Sequence, residues 1–388
     1  MRCKRVNTIP PVDLARQHQV ISQEIETQVI EVLRSGRYVG GTAVTDFEDQ
    51  FANYIDTQFC VGCNSGTDAL YMALRALGIG AGDEVITTPF TFIATSEVIV
   101  RVGAKPVFVD IDPQTFNFDL EQVSKAITKR TKAIIAVHIF GQPINMTKLN
   151  AIAKEHELYI IEDCAQATGA SWQEQKVGSI GDIGCFSFFP TKNLGAYGDG
   201  GCITTNNQAI ADKVKLLREH GLVREVADKV TYRHEISGLN SRLDSLQAAI
   251  LSIKLSYLDQ NNNQRQQIAD HYQQLLGSLT QLKLPQAIAE GLSVWNQYTI
   301  RIPNHAETSK RNRDFIQSAL KQQGIITMVY YPLPLHLQPV YKHLNYQPGI
   351  LIQAEKVAQE VLSLPMFPGL TSSEQQRIAD GLQNCLGN

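Results

Sequence analysis

Between residues 60 and 205 of this 388-residue chain, short runs rich in valine and isoleucine alternate with segments whose apolar residues recur at helical spacing. "DEVITTP" (83–89), "KPVFVDI" (105–111), "TKAIIAVHI" (131–139), "LYIIEDC" (158–164) and "GCITT" (201–205) read as strands, as does the short "FCVGC". "GTDALYMALRALGI", "ATSEVIVRVG", "LEQVSKAIT" and "MTKLNAIAKEHE" between them read as helices. This rhythm predicts an α/β fold, a mostly parallel central sheet covered by helices on both faces. Ligands of such sheets collect at the carboxyl ends of the strands. Thr91, Phe92, Asp110, Asp112, His138, Glu162 and Asp163 fall there and form a candidate polar cluster.

Past residue 206 the pattern changes to longer helical stretches, followed by a second, smaller region of strands and helices. The expected division is an N-terminal arm (1–35), a large domain (36–255) and a small C-terminal α+β domain (256–388). The arm, with its amphipathic helix, is expected to pack on the body or on a partner subunit.

Charge and composition exclude several classes. A net charge of -3 leaves no general electrostatic footprint for nucleic acid or an anionic membrane. No apolar run reaches the roughly twenty residues of a membrane span, and "MRCKRVNTIPPVDL" lacks the apolar core of a signal peptide. The expectation is a cytoplasmic protein. Seven dispersed cysteines suit reduced thiols. Cys60 and Cys63 form a lone CxxC, with neither a second pair nor a histidine cluster to complete a metal site, so no metal is expected.

Four features carry chemistry. Lys192 lies between "FSFF" and a string of glycines, in a stretch nearly free of other charge. A lysine desolvated there has a lowered pKa and can attack a carbonyl to form a Schiff base; on this stretch alone a surface lysine is an equal reading. In "CNSGTDAL", Gly66 and Thr67 open a helix, which offers free backbone N–H groups and a hydroxyl to a phosphate; a plain N-cap explains the same residues. Asp163 ends a buried strand and needs a partner such as a pyridinium nitrogen, or else caps a helix. Phe92 is an aromatic plate or a core residue.

Together the four occur in the order used by a type I pyridoxal phosphate aminotransferase. "SGTDAL", "TPFTFIAT", "PVFVDID", "IEDCAQATGA", "GDIGCFSFFPTKNLGAYGDGG", "GLNSRLDSLQAAIL" and "YYPLPLHLQPVY" resemble the DegT/DnrJ/EryC1 family of sugar aminotransferases, over essentially the whole chain. The resemblance implies fold type I and pyridoxal 5'-phosphate as cofactor, held as an aldimine on Lys192, which also shuttles the substrate proton. It implies further that Asp163 pairs with the pyridine nitrogen, Gln166 bonds the ring 3-hydroxyl and Phe92 stacks on the ring. Gly66, Thr67, Asp68 and Ser187 would bind the phosphate. Asn240, in "GLNSRLD", would reach the neighbour's phosphate across a homodimer interface.

The resemblance also implies ping-pong transfer of an amino group from L-glutamate to a nucleotide-linked keto sugar. "NSRLDSLQAA", "YYPLPLHLQP" and Gln166 look more like the branch acting at C3, on a dTDP-linked 3-keto-6-deoxy sugar, than the branch acting at C4. Two other classes stay in view: deoxygenating dehydratases, which carry histidine where Lys192 stands, and regulatory proteins that bind the cofactor. Arg242, Tyr331, His336 and His138 are left outside the catalytic set.

Overall fold

The structure is a computed structural model that describes residues 8–226, 229–303 and 311–387. The first seven residues of the expected arm therefore lie outside the described residues. The strands are β1 (Phe59–Cys63), β2 (Glu84–Thr87), β3 (Lys105–Phe108), β4 (Thr131–Val137) and β5 (Tyr159–Asp163), then the two-residue β6 (Ser171–Trp172) and β7 (Gln175–Lys176), then β8 (Ile183–Ser187) and β9 (Gly201–Thr205). Seven of them form one sheet in the order β1-β9-β8-β5-β4-β2-β3. β9 runs antiparallel to both β1 and β8, and the remaining neighbours are parallel. β4 is a near-continuous apolar run because both of its faces are covered, which is what a parallel interior strand requires.

β8 is not among the strands expected from the sequence. It is five residues long, contains Gly184 and lacks a β-branched run, so its signal is weak until its neighbours supply the ladder. Its end nevertheless orients the chemistry. Phe186 and Phe188 point to one face and meet Phe51 edge-on at 5.0 and 5.3 Å, and Phe188 also meets Phe47 at 5.4 Å. Burial of each ring is worth about 1.5–3 kcal/mol, so this face of the strand is fixed. Strand alternation then turns Ser187, between them, to the opposite face.

A second core gathers residues from Ile268 to Cys385 together with Ile9. Ile9 N–H donates to the Gly324 carbonyl at 2.8 Å, which ties the start of the described chain to that core. The helix Leu14–Ser35 instead lays Ile21 and Ile25 on Ile250 of the helix Ser245–Ser256. The helix Leu258–Leu276 then enters the second core, where the buried Arg265 donates to the carbonyls of Trp295 and Met366, each at 3.1 Å. No helix among the described residues is long and apolar enough to cross a membrane.

Candidate active site

A cavity of about 360 Å³ opens at the carboxyl ends of β4, β5 and β8. One end of it is the start of the helix Gly66–Ala76. The Ser65 hydroxyl oxygen caps this helix by accepting from Asp68 N–H at 3.1 Å. That cap leaves the amides of Gly66 and Thr67, at the positive end of the helix dipole, without an intrahelical acceptor. A Cβ on Gly66 would stand 2.7 Å from the Ser187 Cβ, so only glycine lets the helix start approach the end of β8. The Ser187 hydroxyl oxygen accepts weakly from Phe189 N–H at 3.4 Å, and its own O–H is free to donate into the cavity.

The floor is Asp163. Its carboxylate is buried and accepts from the Thr95 hydroxyl at 2.8 Å and from Ala165 N–H at 3.2 Å. Burial pushes its pKa up; those two bonds and the charge of Lys192 oppose the shift. Beside it, Gln166 is fixed at both ends of its amide. The oxygen accepts from Phe140 N–H at 2.7 Å, and the nitrogen donates to the Tyr331 hydroxyl at 3.1 Å. Phe140 has a φ of 58°, a left-handed conformation uncommon for a bulky residue, and this aims its N–H at Gln166. Phe92, 56% exposed, lines the cavity with its ring 6.5 Å from that of Tyr331.

Lys192 stands on a turn after β8. Its N–H donates to the Phe189 carbonyl at 2.8 Å, and Ala196 N–H returns to the Phe188 carbonyl at 2.7 Å. The turn is so tight that a Cβ on Gly195 would lie 2.3 Å from the Pro190 oxygen, which accounts for one of the glycines after the lysine. The side chain lines the cavity wall, and burial pushes its pKa down to about 8 against the pull of Asp163. A fraction of the amine is therefore neutral, and nucleophilic, near physiological pH.

The structure thus brings Gly66, Thr67, Phe92, Asp163, Gln166, Ser187 and Lys192 to one cavity. Asp68 does not line it: its amide is taken by the Ser65 cap and its carboxylate lies 3.5 Å from Arg101. Asn240 is exposed, does not line this cavity, and accepts from Arg242 at 2.6 Å.

Several members of the expected polar cluster serve the fold instead. Asp110 accepts from the amides of Gln353 and Ala354 and so caps the helix Ile352–Glu360; Asp112 accepts from Gln114 and Thr115 in its own turn. His138 Nδ1 accepts from Ile144 N–H, so Nε2 carries the proton and donates to Glu162 at 3.0 Å. Glu162 also accepts from the amides of Gly178, Ile180 and Gly181. His336 pairs with Glu355 at 3.1 Å, and burial lowers its pKa. Cys60 and Cys63 belong to cores on different sides of β1, so the CxxC cannot close on one ion. Thr95, which orients Asp163, was missed; its only sequence signal is its position one helical turn after Thr91, with which it bonds at 3.2 Å.

These residues suit pyridoxal phosphate. Free amides and a hydroxyl face one end of the cavity, a buried carboxylate without a cation in contact lies on the floor, and a desolvated amine stands on the wall. Fold and site together define the class: a pyridoxal 5'-phosphate-dependent transferase of fold type I. Residues 19–383 match the model of the DegT/DnrJ/EryC1/StrS aminotransferase family, and the chain belongs to that family.

Among its relatives is the pleiotropic regulatory protein of Geobacillus stearothermophilus, 49% identical over 96% of this chain and 97% of that one. The UDP-N-acetyl-3-dehydro-alpha-D-glucosamine 3-aminotransferase of Acidithiobacillus ferrooxidans is 43% identical over 97% of this chain and 98% of that one. The solved structure of NtdA from Bacillus subtilis with bound cofactor PMP superposes with a TM-score of 0.89 at 32% identity, over 100% of this chain and 87% of that one.

Proposed function

We propose that this protein transfers the amino group of L-glutamate to C3 of a nucleotide-linked 3-keto sugar. The observation that carries the reading is Lys192, desolvated to a pKa of about 8 and sharing one cavity with Asp163. Bound pyridoxal phosphate supplies an electron sink for the pair released when a proton leaves the substrate carbon.

The chain's own residues do the rest. The amides of Gly66 and Thr67 and the Ser187 hydroxyl would hold the phosphate. The Asp163 carboxylate, kept in line by Thr95, would pair with the ring nitrogen and hold positive charge there. Gln166, its oxygen engaged by Phe140, has only N–H groups to offer the ring oxygen. Phe92, which lines the cavity, would cover the ring's open face and exclude water. The Lys192 amine would hold the cofactor between turnovers and, as the basic group on the cavity wall, would take up and return the proton of the substrate carbon. Glutamate enters and 2-oxoglutarate leaves before the sugar binds, so the kinetics are ping-pong. Asp68 acts through its part in the helix start, and Asn240 completes the phosphate site of a second copy in a homodimer.

The relative named a 3-aminotransferase supports amination at C3. The sequence resemblance favours a dTDP-linked 3-keto-6-deoxy sugar; the same relative's name favours a UDP-linked 2-acetamido sugar as a second reading. The name of the 49% relative raises a regulatory role, but a protein that only senses its cofactor has no need of a base poised over it.

The test uses pure protein. L-Glutamate should change its visible absorbance and release one equivalent of 2-oxoglutarate per site before any sugar is added. Addition of 3-keto dTDP- or UDP-sugars should restore the absorbance and yield amino sugar. Turnover of 4-keto sugars alone would reverse the choice of carbon, and no reaction with any amino donor would favour the regulatory role.

A further inference from the structure

Thr191 and Asn193, which flank Lys192 on its turn, are held by a chain of side-chain amides behind the cavity wall, those of Asn193 and Asn296 buried and that of Asn262 half-buried. Asn193 donates to the Asn262 side-chain oxygen at 2.8 Å and to the Val294 carbonyl at 2.9 Å. Asn296 donates to the Asn193 side-chain oxygen at 2.8 Å and, more loosely, to the Thr191 carbonyl at 3.4 Å. Asn262 donates to the Thr168 carbonyl at 3.1 Å. Asn193 is 8% and Asn296 4% exposed, and none of the three amides lines the cavity that Lys192 enters.

Buried amides are costly unless paired, and the Asn296 side-chain oxygen has no partner among the described residues, so apolar residues of similar shape at 193 and 296 would fill this space with less desolvation. What amides supply is direction: each bond fixes the position of the next. The chain lies where two of the cores meet: Ala167, Leu194 and Val294 beside it belong to one, and Trp295 and Tyr298 to the other. Asn296 also reaches the other side of the site, because its N–H donates to the Phe140 carbonyl at 2.9 Å while Phe140 holds Gln166. One residue therefore indexes the Lys192 turn and the Gln166 amide to a common frame.

We propose that Asn296, acting through Asn193 and backed by Asn262, is a positioning residue that sets where the Lys192 amine stands over the cavity, and so its reactivity. This rests on the reading of Lys192 as the residue that binds the cofactor. Loss of the Asn296 donor leaves the Asn193 oxygen buried and unpaired, and frees the turn to relax; displacements near 1 Å cost about 10²-fold in such geometry.

The test compares holoenzymes of wild type, Asn296→Ala, Asn296→Asp and Asn262→Ala. Asn296→Asp keeps the shape and loses the amide donor but adds a carboxylate, so its midpoint is read against those of the uncharged variants Asn296→Ala and Asn262→Ala. Expected in both Asn296 variants are unchanged cofactor stoichiometry, a shifted pH midpoint of the visible absorbance, and a glutamate half-reaction slowed about 10–100-fold with little change in KM; Asn262→Ala should show smaller effects of the same kind. Should Asn296→Ala fail to fold, Asn296→Asp and Asn262→Ala carry the comparison. A folded, cofactor-loaded variant of Asn296 with the wild-type midpoint and rate overturns the proposal, as does a slower rate explained wholly by cofactor loss. A wild-type protein lacking borohydride-sensitive absorbance overturns the reading of Lys192 itself, before any variant is made.

Discussion

Glu162 and Asp163 are adjacent on β5 and face opposite sides of the sheet. Glu162 turns away from the cavity, where His138 and three backbone amides satisfy it completely. Asp163 turns into the cavity, where it has a hydroxyl and one amide as donors and Lys192 as a charged neighbour. The alternation of a strand thus turns one carboxylate into the fold and the other into the cavity. Asp163→Asn should keep the fold and lower the rate of the glutamate half-reaction by about 10²–10³, the usual effect of losing one preorganised electrostatic group. Glu162→Gln should instead lower the melting temperature, because it replaces a fully bonded carboxylate. Thermal melts and single-turnover absorbance separate the two effects.

Lys192→Ala should abolish the borohydride-sensitive visible absorbance and lower turnover by at least about 10²–10⁴, the range for removing a general base. Cofactor should still bind without a covalent link, through the helix start and Asp163. Mass spectrometry after borohydride treatment reads the link, and full turnover in this variant would remove the basis of the functional reading.

Gly66→Ala drives a Cβ to within 2.7 Å of Ser187. The helix start must back away from β8, and the cost of such overpacking is about 1–3 kcal/mol. Because the displaced amides are those proposed to hold the phosphate, the loss should appear mainly as weaker cofactor retention during dialysis, with a smaller change in the melting temperature of the apoprotein.

Lys254 is a second buried lysine. Its ammonium donates to the Gly195 carbonyl beneath the Lys192 turn, and burial pushes its pKa down to about 8. Below pH 8 the folded and unfolded states both hold the proton, and the full cost of burying the charge applies. As pH rises from about 8 toward 10.5, the unfolded state holds the proton and the folded state does not, so stability rises with pH. Lys254→Met removes this contribution. The stability of wild type relative to Lys254→Met should therefore increase across that window, with a slope approaching about 1.4 kcal/mol per pH unit, as read by urea unfolding at fixed pH values. Parallel pH profiles of the two proteins would contradict the assignment.

Asn240 gives a test of assembly. If it completes the site of a second copy, Asn240→Ala and Lys192→Ala are each defective, but a mixed dimer holds one site with both residues intact. Random exchange of equal amounts into C₂ dimers should restore about a quarter of wild-type turnover. No recovery after subunits are shown to exchange would mean that Asn240 acts within its own chain or not at all.

The fold was legible because its signals are local. The Val- and Ile-rich runs of β2 to β5 and the helical periods between them need no partner to be recognised, and they fix an α/β sheet and its ligand-binding edge. Lys192, Asp163, Gly66, Thr67, Phe92, Gln166 and Ser187 were legible as a set, each ambiguous alone. β8 was missed because its stability comes from the strands beside it rather than from its own residues. Asp110, His138 and Glu162 were placed in the candidate cluster because residue type and chain position cannot show which groups already have hydrogen-bond partners.

The sequence by itself determined the architecture and the inventory of reactive groups, since hydrophobic period and residue chemistry are properties of short segments. Only the tertiary structure decided which carboxylate faces the cavity, how far burial lowers the Lys192 pKa, and which distant asparagines hold its turn. Desolvation and hydrogen-bond satisfaction depend on atoms brought together from far apart in the chain, and no segment carries that information alone.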